Sequence, residues 1–128
     1  MASFLLDTQI VIWASAEPEK LSPAVASLIA NPDETIFVSS VSIAEMAIKR
    51  SIGKLSLPSS PSDICIQMDF TELALTWAAA ERVEQLSLIH RDPFDRLLIG
   101  QAIEHDLTLI TANSTILQYP NVSLLANS

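Results

Sequence analysis

Two aspartates separated by two residues lie where the sequence predicts the start of a helix. Asp92 precedes Pro93, which suits the first helical position because a helix does not use that residue's amide hydrogen, and Asp95 takes the third position. Beyond them, apolar residues recur at helical spacing, at Phe94, Leu97, Leu98 and Ala102. Taken alone, the stretch is explained by a capped helix. The alternative is that its two carboxylates bind a cation.

Three further side chains with oxygen atoms follow a predicted strand or lie in the helix after one. Asp7 comes directly after an apolar run, Glu45 lies in the helix after a β-branched and aromatic run, and Asn113 follows a third apolar run. In a parallel sheet the strand ends that precede such residues meet at one edge, where these sheets bind ligands. The sequence therefore predicts that Asp7, Glu45, Asp95 and Asn113 converge in one cleft.

Each of these residues also has a local structural explanation. Asp7 suits the N-cap of the helix that follows it. Glu45 either forms a capping box with Ser42 or pairs with Lys49 one turn later. None of these local explanations accounts for several carboxylates in one cleft, where their charges repel and raise one another's pKa. A divalent cation relieves that repulsion, and oxygen ligands without cysteine or histidine suit Mg²⁺ or Mn²⁺. The chemistry implied is hydrolysis of a phosphodiester bond.

Strands and helices that would hold these residues alternate along the chain. Strands are predicted at residues 3–6, 35–38, 70–73, 108–111 and 122–125. Helices are predicted at residues 8–16, 23–30, 43–50, 62–68, 76–86 and 93–105. Continuous apolar strands that alternate with helices indicate a parallel sheet covered on both faces. The predicted fold class is therefore α/β, with three layers (α/β/α) around a central, mainly parallel sheet of four to five strands.

Bulk composition limits the class of protein. The 128 residues, 49% of them hydrophobic, fit a single domain over residues 1–128 with a real core. A net charge of −8 argues against simple electrostatic binding to nucleic acid, but not against an acidic site that meets phosphate through metal ions. No apolar run is long enough to cross a bilayer and no signal peptide is recognised, so a cytoplasmic location without membrane contact is expected. The lone cysteine, Cys65, is interpreted as a buried apolar residue.

Five stretches of the chain carry motifs of one known family: residues 4–8, 38–49, 53–55, 90–99 and 109–113. In them the chain resembles the PIN-domain nucleases, and within these the VapC-type toxins of bacterial toxin–antitoxin pairs. The resemblance runs nearly from end to end, and the stretch HRDPFDRLLI at residues 90–99 is its most specific part. The fold that it implies is PIN-like, in agreement with the α/β prediction.

The resemblance implies a metal-dependent ribonuclease with an acidic cluster. Asp7, Glu45 and Asp95 are carried over as the metal-site acids, with Asp92 contributing beside them. Asn113 occupies the family's fourth position, which is often an aspartate; an amide there keeps an oxygen ligand but removes a charge. The implied catalytic set is therefore Asp7, Glu45, Asp92, Asp95 and Asn113, with Mg²⁺ or Mn²⁺ as the cofactor.

Two hydroxyls, those of Ser39 and Thr111, are carried over as groups that support the site. Ala44 departs from the tryptophan that this family often has before the glutamate, and we expect that change to alter packing more than chemistry. The resemblance further implies an RNA substrate, a homodimer, and a small antitoxin that commonly binds DNA and whose tail blocks the cleft.

Two other functions remain open at this point. One is a non-catalytic PIN-like module that binds a partner protein; the intact carboxylates count against it, and Asn113 counts slightly for it. The other is a phospho-acceptor receiver-type domain, which needs a lysine near a late strand, and the sequence from residue 57 onward has none.

Residues outside the acidic set are interpreted by their positions. His90 and Arg91 are candidates for phosphate contacts, although Arg91 equally suits a solvated loop. Arg96 is a candidate for an ion pair with a cluster carboxylate or with the antitoxin. Trp13 and Trp77 are interpreted as core or interface anchors.

Overall fold

Five parallel strands form one sheet in the computed structural model, which describes residues 3–128. The strands are β1 (Ser3–Leu6), β2 (Thr35–Ser39), β3 (Thr71–Leu73), β4 (Thr108–Thr111) and β5 (Ser123–Ala126). Their order across the sheet is β3-β2-β1-β4-β5, and every neighbouring pair is parallel. The predicted parallel sheet is confirmed.

Helices connect these strands on both faces of the sheet. They are α1 (Thr8–Ala16), α2 (Pro23–Ala30), α3 (Ser40–Ser51), α4 (Pro61–Gln67), α5 (Trp77–Glu81) and α6 (Pro93–Glu104). Short 3₁₀ segments occupy Pro18–Lys20, Arg82–Gln85 and Ile116–Gln118. The single helix predicted at residues 76–86 is wrong in its second half, because α5 tightens into a 3₁₀ turn whose Val83 carbonyl accepts a hydrogen bond from the Arg96 guanidinium at 3.0 Å.

Side-chain caps explain where most helices begin. The side chains of Ser22, Ser60, Thr76 and Asp92 accept hydrogen bonds from backbone amides in the first turns of α2, α4, α5 and α6. The predicted capping box of Ser42 and Glu45 is wrong, because α3 begins earlier. Its N-cap is Ser39, whose Oγ accepts from the Val41 amide at 2.9 Å, whereas Ser42 Oγ accepts from the Thr8 hydroxyl at 2.9 Å.

Two apolar clusters lie on opposite faces of the sheet. Side chains alternate along β1, so Phe4 and Leu6 join one cluster and Leu5 joins the other. The first cluster is completed by α1, α2, α3 and α4 through Ile10, Val11, Val25, Met46 and Cys65. The second contains Leu98, Ile99 and Ala102 of α6. The predicted three-layer arrangement and the burial of Cys65 are therefore confirmed, and burial raises the pKa of the Cys65 thiol.

The two tryptophans lie in different environments. Trp13 packs against the first cluster, as predicted for a core residue. Trp77 is 90% exposed, so its interpretation as a core residue is wrong, and a role at an interface stays a prediction. Among the described residues, no helix is long and apolar enough to cross a membrane.

Candidate functional site

A cleft of about 310 Å³ opens at the carboxyl ends of the central strands. The chain runs from β1 outward through β2 to β3 and then returns to the other side of β1 as β4, so the sheet's direction of growth reverses between β1 and β4. Ligands of doubly wound sheets bind beyond the strand ends at such a reversal. The cleft is lined by Asp7, Thr8, Gln9, Ile12, Trp13, Glu45, Lys49, Asp92, Asp95, Ala112 and Asn113.

Asp7 lies at the floor of this cleft, between β1 and α1. Its Oδ1 accepts from the Ile10 amide at 2.9 Å as the N-cap of α1, and its Oδ2 accepts from the Thr111 hydroxyl at the end of β4. The side chain is almost fully enclosed, and this burial raises the Asp7 pKa from 3.8 to about 6, with smaller contributions from the charges of Asp95 and Glu45. The predicted capping role of Asp7 and its place in the cleft are therefore compatible.

Glu45 enters the cleft from the second turn of α3. It is 7% exposed, and its Oε2 accepts from Lys49 Nζ at 2.9 Å, which confirms the predicted pairing along the helix. Its other oxygen, Oε1, is buried and has no hydrogen-bond partner among the described residues. A buried carboxylate oxygen without a partner is costly, so this atom marks a position where a further positively polarised group fits.

Asp92 is the N-cap of α6 and Asp95 lies in its first turn, as the sequence predicts. Asp92 Oδ1 accepts from the Phe94 amide at 2.9 Å and the Asp95 amide at 3.1 Å, so Asp92 fixes where the helix begins. Asp95 Oδ2 lies 2.7 Å from His90 Nε2. Burial raises the pKa of Asp95; the hydrogen bond to His90 opposes that rise, and the charges of Asp92 and Glu45 add to it.

Asn113 lies at the end of the cleft beyond β4, but its oxygen is already engaged. Oδ1 accepts from the backbone amides of Thr115 and Ile116, at 2.8 and 3.2 Å. The backbone N–H of Asn113 donates to the Thr111 hydroxyl at 3.0 Å. Asn113 thus organises the turn after β4 and steadies the hydroxyl that holds Asp7.

Ser39 supports the cleft from below through a buried pair. Its hydroxyl donates to Gln101 Oε1 of α6 while accepting from the first turn of α3, so it joins the helix that carries Glu45 to the helix that carries Asp95. The other amide atom of Gln101, Nε2, is buried and has no partner among the described residues. Gln101 was missed by the sequence analysis, although a glutamine among the apolar positions of a helix is a usable signal.

Charge in the cleft is strongly negative, and its donor atoms are oxygens. The charges of Asp95 and Glu45 raise the pKa of Asp7, and the charge of Glu45 also raises the pKa of Asp95. Within residues 3–128, however, no three carboxylate, imidazole or thiolate groups surround one point in a way that could hold a metal ion. Glu45 is turned to Lys49 and Asp95 to His90 instead. The hard oxygen donors and the unpartnered Glu45 Oε1 fit a divalent cation such as Mg²⁺ or Mn²⁺ in chemical type.

Among residues 3–128 Arg96 pairs with no carboxylate, so the predicted ion pair with the acidic cluster is wrong, and its contact with the antitoxin stays a prediction. Its guanidinium donates to the backbone carbonyls of Val83, Ser87 and His90 and to the Tyr119 hydroxyl, at 3.0 to 3.3 Å. The planar guanidinium, with its five N–H donors, suits contacts with several loop carbonyls at once. By holding the His90 carbonyl, it places His90 beside Asp95.

Comparison with known proteins assigns this chain to a family. The model of the PIN domain matches residues 4–121. This chain belongs to the PIN-domain family. The PIN domain described here is 33% identical over 118 residues to ribonuclease VapC22 of Mycobacterium tuberculosis, with 87% of each chain covered. The family match contradicts the receiver-type alternative.

Solved structures show the same fold at low sequence identity. The PIN domain superposes with a TM-score of 0.71 and 21% identity on a chain of VapBC2 from Rickettsia felis bound to a promoter DNA fragment, covering 97% of this chain and 98% of that one. It superposes with a TM-score of 0.68 and 19% identity on a chain of DNA-bound VapBC from Salmonella typhimurium, covering 100% of both. These likenesses confirm the predicted PIN-like fold.

Proposed function

We propose that this chain is an endoribonuclease that depends on Mg²⁺ or Mn²⁺ and acts as the toxin of a toxin–antitoxin pair. The observation that carries the proposal is the cleft at the β1–β4 reversal, which Asp7, Glu45 and Asp95 line and in which a buried oxygen of Glu45 has no partner among the described residues. Membership of the PIN family and the 33% identity to ribonuclease VapC22 support the same activity.

Asp7, Glu45 and Asp95 would hold the divalent cation, which supplies charge stabilisation at the phosphodiester and activates water for hydrolysis when it is bound. The remaining residues position these three. Thr111 and the Ile10 amide orient Asp7, and His90 orients Asp95.

Three further groups act on the shape and charge of the site. Asp92 fixes the start of α6 and adds a negative charge beside Asp95. Ser39 holds α3 and α6 together through Gln101. Asn113 orders the turn after β4 without adding a charge.

Partners follow from the same proposal. The substrate is RNA, and the inhibitor is a small antitoxin with a basic segment that complements a chain of net charge −8. The superposed chains come from VapBC assemblies, and two of these are described as bound to DNA, which supports such a partner. A homodimer in the cytoplasm without membrane contact completes the proposal.

A PIN-like module that binds a partner without cutting is the alternative. It is favoured by Asn113, whose oxygen is committed to two backbone amides, and by the engagement of Glu45 and Asp95 with Lys49 and His90. Such a module would have the same fold and would still bind its partner protein, but it would not cut RNA whichever metal ion is added.

Cleavage of a tRNA pool by the purified protein in Mg²⁺, in Mn²⁺ and in EDTA tests the proposal. We expect cleavage that requires the metal and is lost in Asp7→Asn, a nearly isosteric change that keeps the cap on α1. Asp33→Asn makes the same chemical change at an exposed loop and should cut like the wild type. Cleavage that survives in Asp7→Asn, or that proceeds in EDTA, would contradict the proposal. Metal binding without cleavage would support the binding module.

A further inference from the structure

One positively charged side chain, that of Lys49, lies in the acidic cleft, and the proposed reaction has given it no role so far. Among the described residues that line the cleft, Lys49 is the only one with a cationic side chain, and the same lining includes the carboxylates of Asp7, Glu45, Asp92 and Asp95. A polyanionic substrate has to approach this negative surface on a chain of net charge −8. Each positive charge at the mouth of the cleft therefore weighs heavily in the encounter.

Lys49 and Glu45 form an asymmetric pair. The Lys49 side chain is 46% exposed and the Glu45 side chain is 9% exposed, so the ammonium lies at the mouth and the carboxylate lies inside. The contact joins Nζ to Oε2 alone, at 2.9 Å, and it is the single hydrogen bond of this ammonium within residues 3–128. An ammonium has three donors, so Lys49 can take a second acceptor from the cleft without a change of fold.

A divalent cation bound in the cleft would replace Lys49 as the partner of the Glu45 carboxylate. The cation would then neutralise the carboxylate that Lys49 neutralises in this structure. A lysine at the mouth would be released from its pair at the moment when a phosphate arrives at the metal. The long, flexible lysine side chain suits such an exchange, since it binds phosphate as a mobile point charge.

We infer that Lys49 is a substrate-anchoring residue, which exchanges Glu45 for a phosphate oxygen of the RNA when a divalent cation occupies the cleft. This inference rests on the proposed nuclease function and specifies how that site receives its substrate. Lys49 contributes to binding the RNA backbone, and it does not contribute to reading the sequence of bases.

Binding of a fluorescently labelled RNA, followed by anisotropy, tests the inference directly. Ca²⁺ replaces Mn²⁺ as the hard cation, and a gel run in parallel checks that the RNA stays intact. In Lys49→Met we expect the Kd to rise about tenfold and the slope of log K against log salt to fall by about 0.7, the value for one lost contact with a single strand. Lys49→Arg should keep most of the affinity and the slope.

Lys54→Met is the matched control, because Lys54 is exposed just beyond the same helix and does not line the cleft. It removes an equal charge and should change the Kd by less than about twofold. Equal effects of the two substitutions would show that only net charge matters, and they would overturn the inference.

Mn²⁺ affinity, measured by calorimetry without RNA, separates anchoring from support of Glu45. We expect Lys49→Met to bind Mn²⁺ at least as tightly as the wild type, because a competing positive charge has been removed. Weaker Mn²⁺ binding would show that Lys49 positions Glu45, and it would overturn the inference. In cleavage assays, KM should rise while kcat changes little.

The same experiments distinguish this inference from the proposed function. A wild-type protein that neither binds Mn²⁺ nor cuts RNA overturns both. A wild-type protein that cuts RNA, beside a Lys49→Met variant with unchanged KM and salt slope, overturns the role of Lys49 and leaves the nuclease standing.

Discussion

At the scale of single residues, Asp7 concentrates the conflict between stability and chemistry. It is 3% exposed, and burial raises its pKa from 3.8 to about 6. Near pH 7 the fold therefore contains an ionised carboxylate that would be more stable in water. Each pKa unit corresponds to about 1.4 kcal/mol, so the ionisation of Asp7 costs the metal-free fold on the order of 3 kcal/mol. A bound cation would offset that cost.

Asp7→Asn should stabilise the metal-free protein above pH 6. The folded pKa of about 6 exceeds the unfolded value of 3.8, so the folded state binds the proton more tightly between these pH values. Stability is therefore greatest below pH 4 with respect to this group, and it falls as the pH rises through 6. In EDTA at pH 7.5 we expect the variant to gain roughly 1–3 kcal/mol in urea unfolding.

The gain from Asp7→Asn should shrink to near zero at pH 4, where the wild-type carboxyl is protonated in the fold. The exposed change Asp33→Asn should show no such dependence on pH. A variant less stable than the wild type at pH 7.5 would indicate that the contact between Asp7 and Thr111 outweighs the cost of burial.

At the scale of elements, the cleft depends on how α3 and α6 are held against each other. The buried hydrogen bond from Ser39 to Gln101 joins the N-terminus of α3 to the C-terminal half of α6. On another side, α6 packs closely against α5 at Gly100. A Cβ added at Gly100 would lie only 2.9 Å from the Ala79 carbonyl oxygen of α5. Glu45 and Asp95 are carried by these two helices, so their separation follows from these packing contacts.

Ser39→Ala should destabilise the protein more than Gln101→Met. The first change removes the cap on α3 and leaves both polar atoms of Gln101 buried without a partner, for a cost of roughly 2–4 kcal/mol. The second removes the amide, including its unpartnered Nε2, and should cost about 1 kcal/mol or less. Urea unfolding of the double variant should show a loss clearly smaller than the sum of the two, because one interaction is counted twice. Additive losses would contradict a coupled pair.

Gly100→Ala should destabilise the protein by roughly 1–3 kcal/mol, through overpacking against a backbone oxygen that cannot rotate away. Intrinsic helix propensity alone predicts the opposite, a gain of about 1 kcal/mol. Thermal unfolding decides between them, with Ser27→Ala at an exposed position of α2 as the control for propensity.

The sequence predicts the order of elements well because their signals are local. Pro23 and Pro93 follow residues that cap, and the strands are short apolar runs that need no distant information. The start of α3 is different, because Ser39, Ser40 and Ser42 all suit a cap. Contacts with Thr8 and Gln101, from distant parts of the chain, decide among the three serines.

The candidate site divides along the same line. The edge of a parallel sheet is enough to predict that Asp7, Glu45 and Asp95 line one cleft, and helical spacing is enough for the pair of Glu45 with Lys49. The contact of His90 with Asp95 was not predicted, since it depends on a loop that Arg96 holds through three carbonyls. Loop conformation of this kind has no periodic signal in the sequence.

At the scale of the whole molecule, binding of a cation should be visible as global stability. A ligand that binds only the folded state at about 100 times its Kd adds about 2.7 kcal/mol. For a domain of this size that corresponds to a rise in Tm of roughly 10 °C. We therefore expect saturating Mn²⁺ to raise the Tm by about that amount relative to EDTA, and by much less in Asp7→Asn. An equal rise in both proteins would place the cation outside the cleft.

The hydrogen bond between Thr111 and Asp7 joins residues 104 positions apart in the chain. A ribosome adds about 5–20 residues per second. The Thr111 hydroxyl that orients Asp7 is therefore synthesised roughly 5–20 s after Asp7 itself. The neighbouring strands β1 and β4 are separated by a similar interval. A nascent chain cannot assemble the cleft during that interval. An enzyme that cuts RNA would thus stay harmless to the messenger and the ribosome that are making it until β4 has been synthesised.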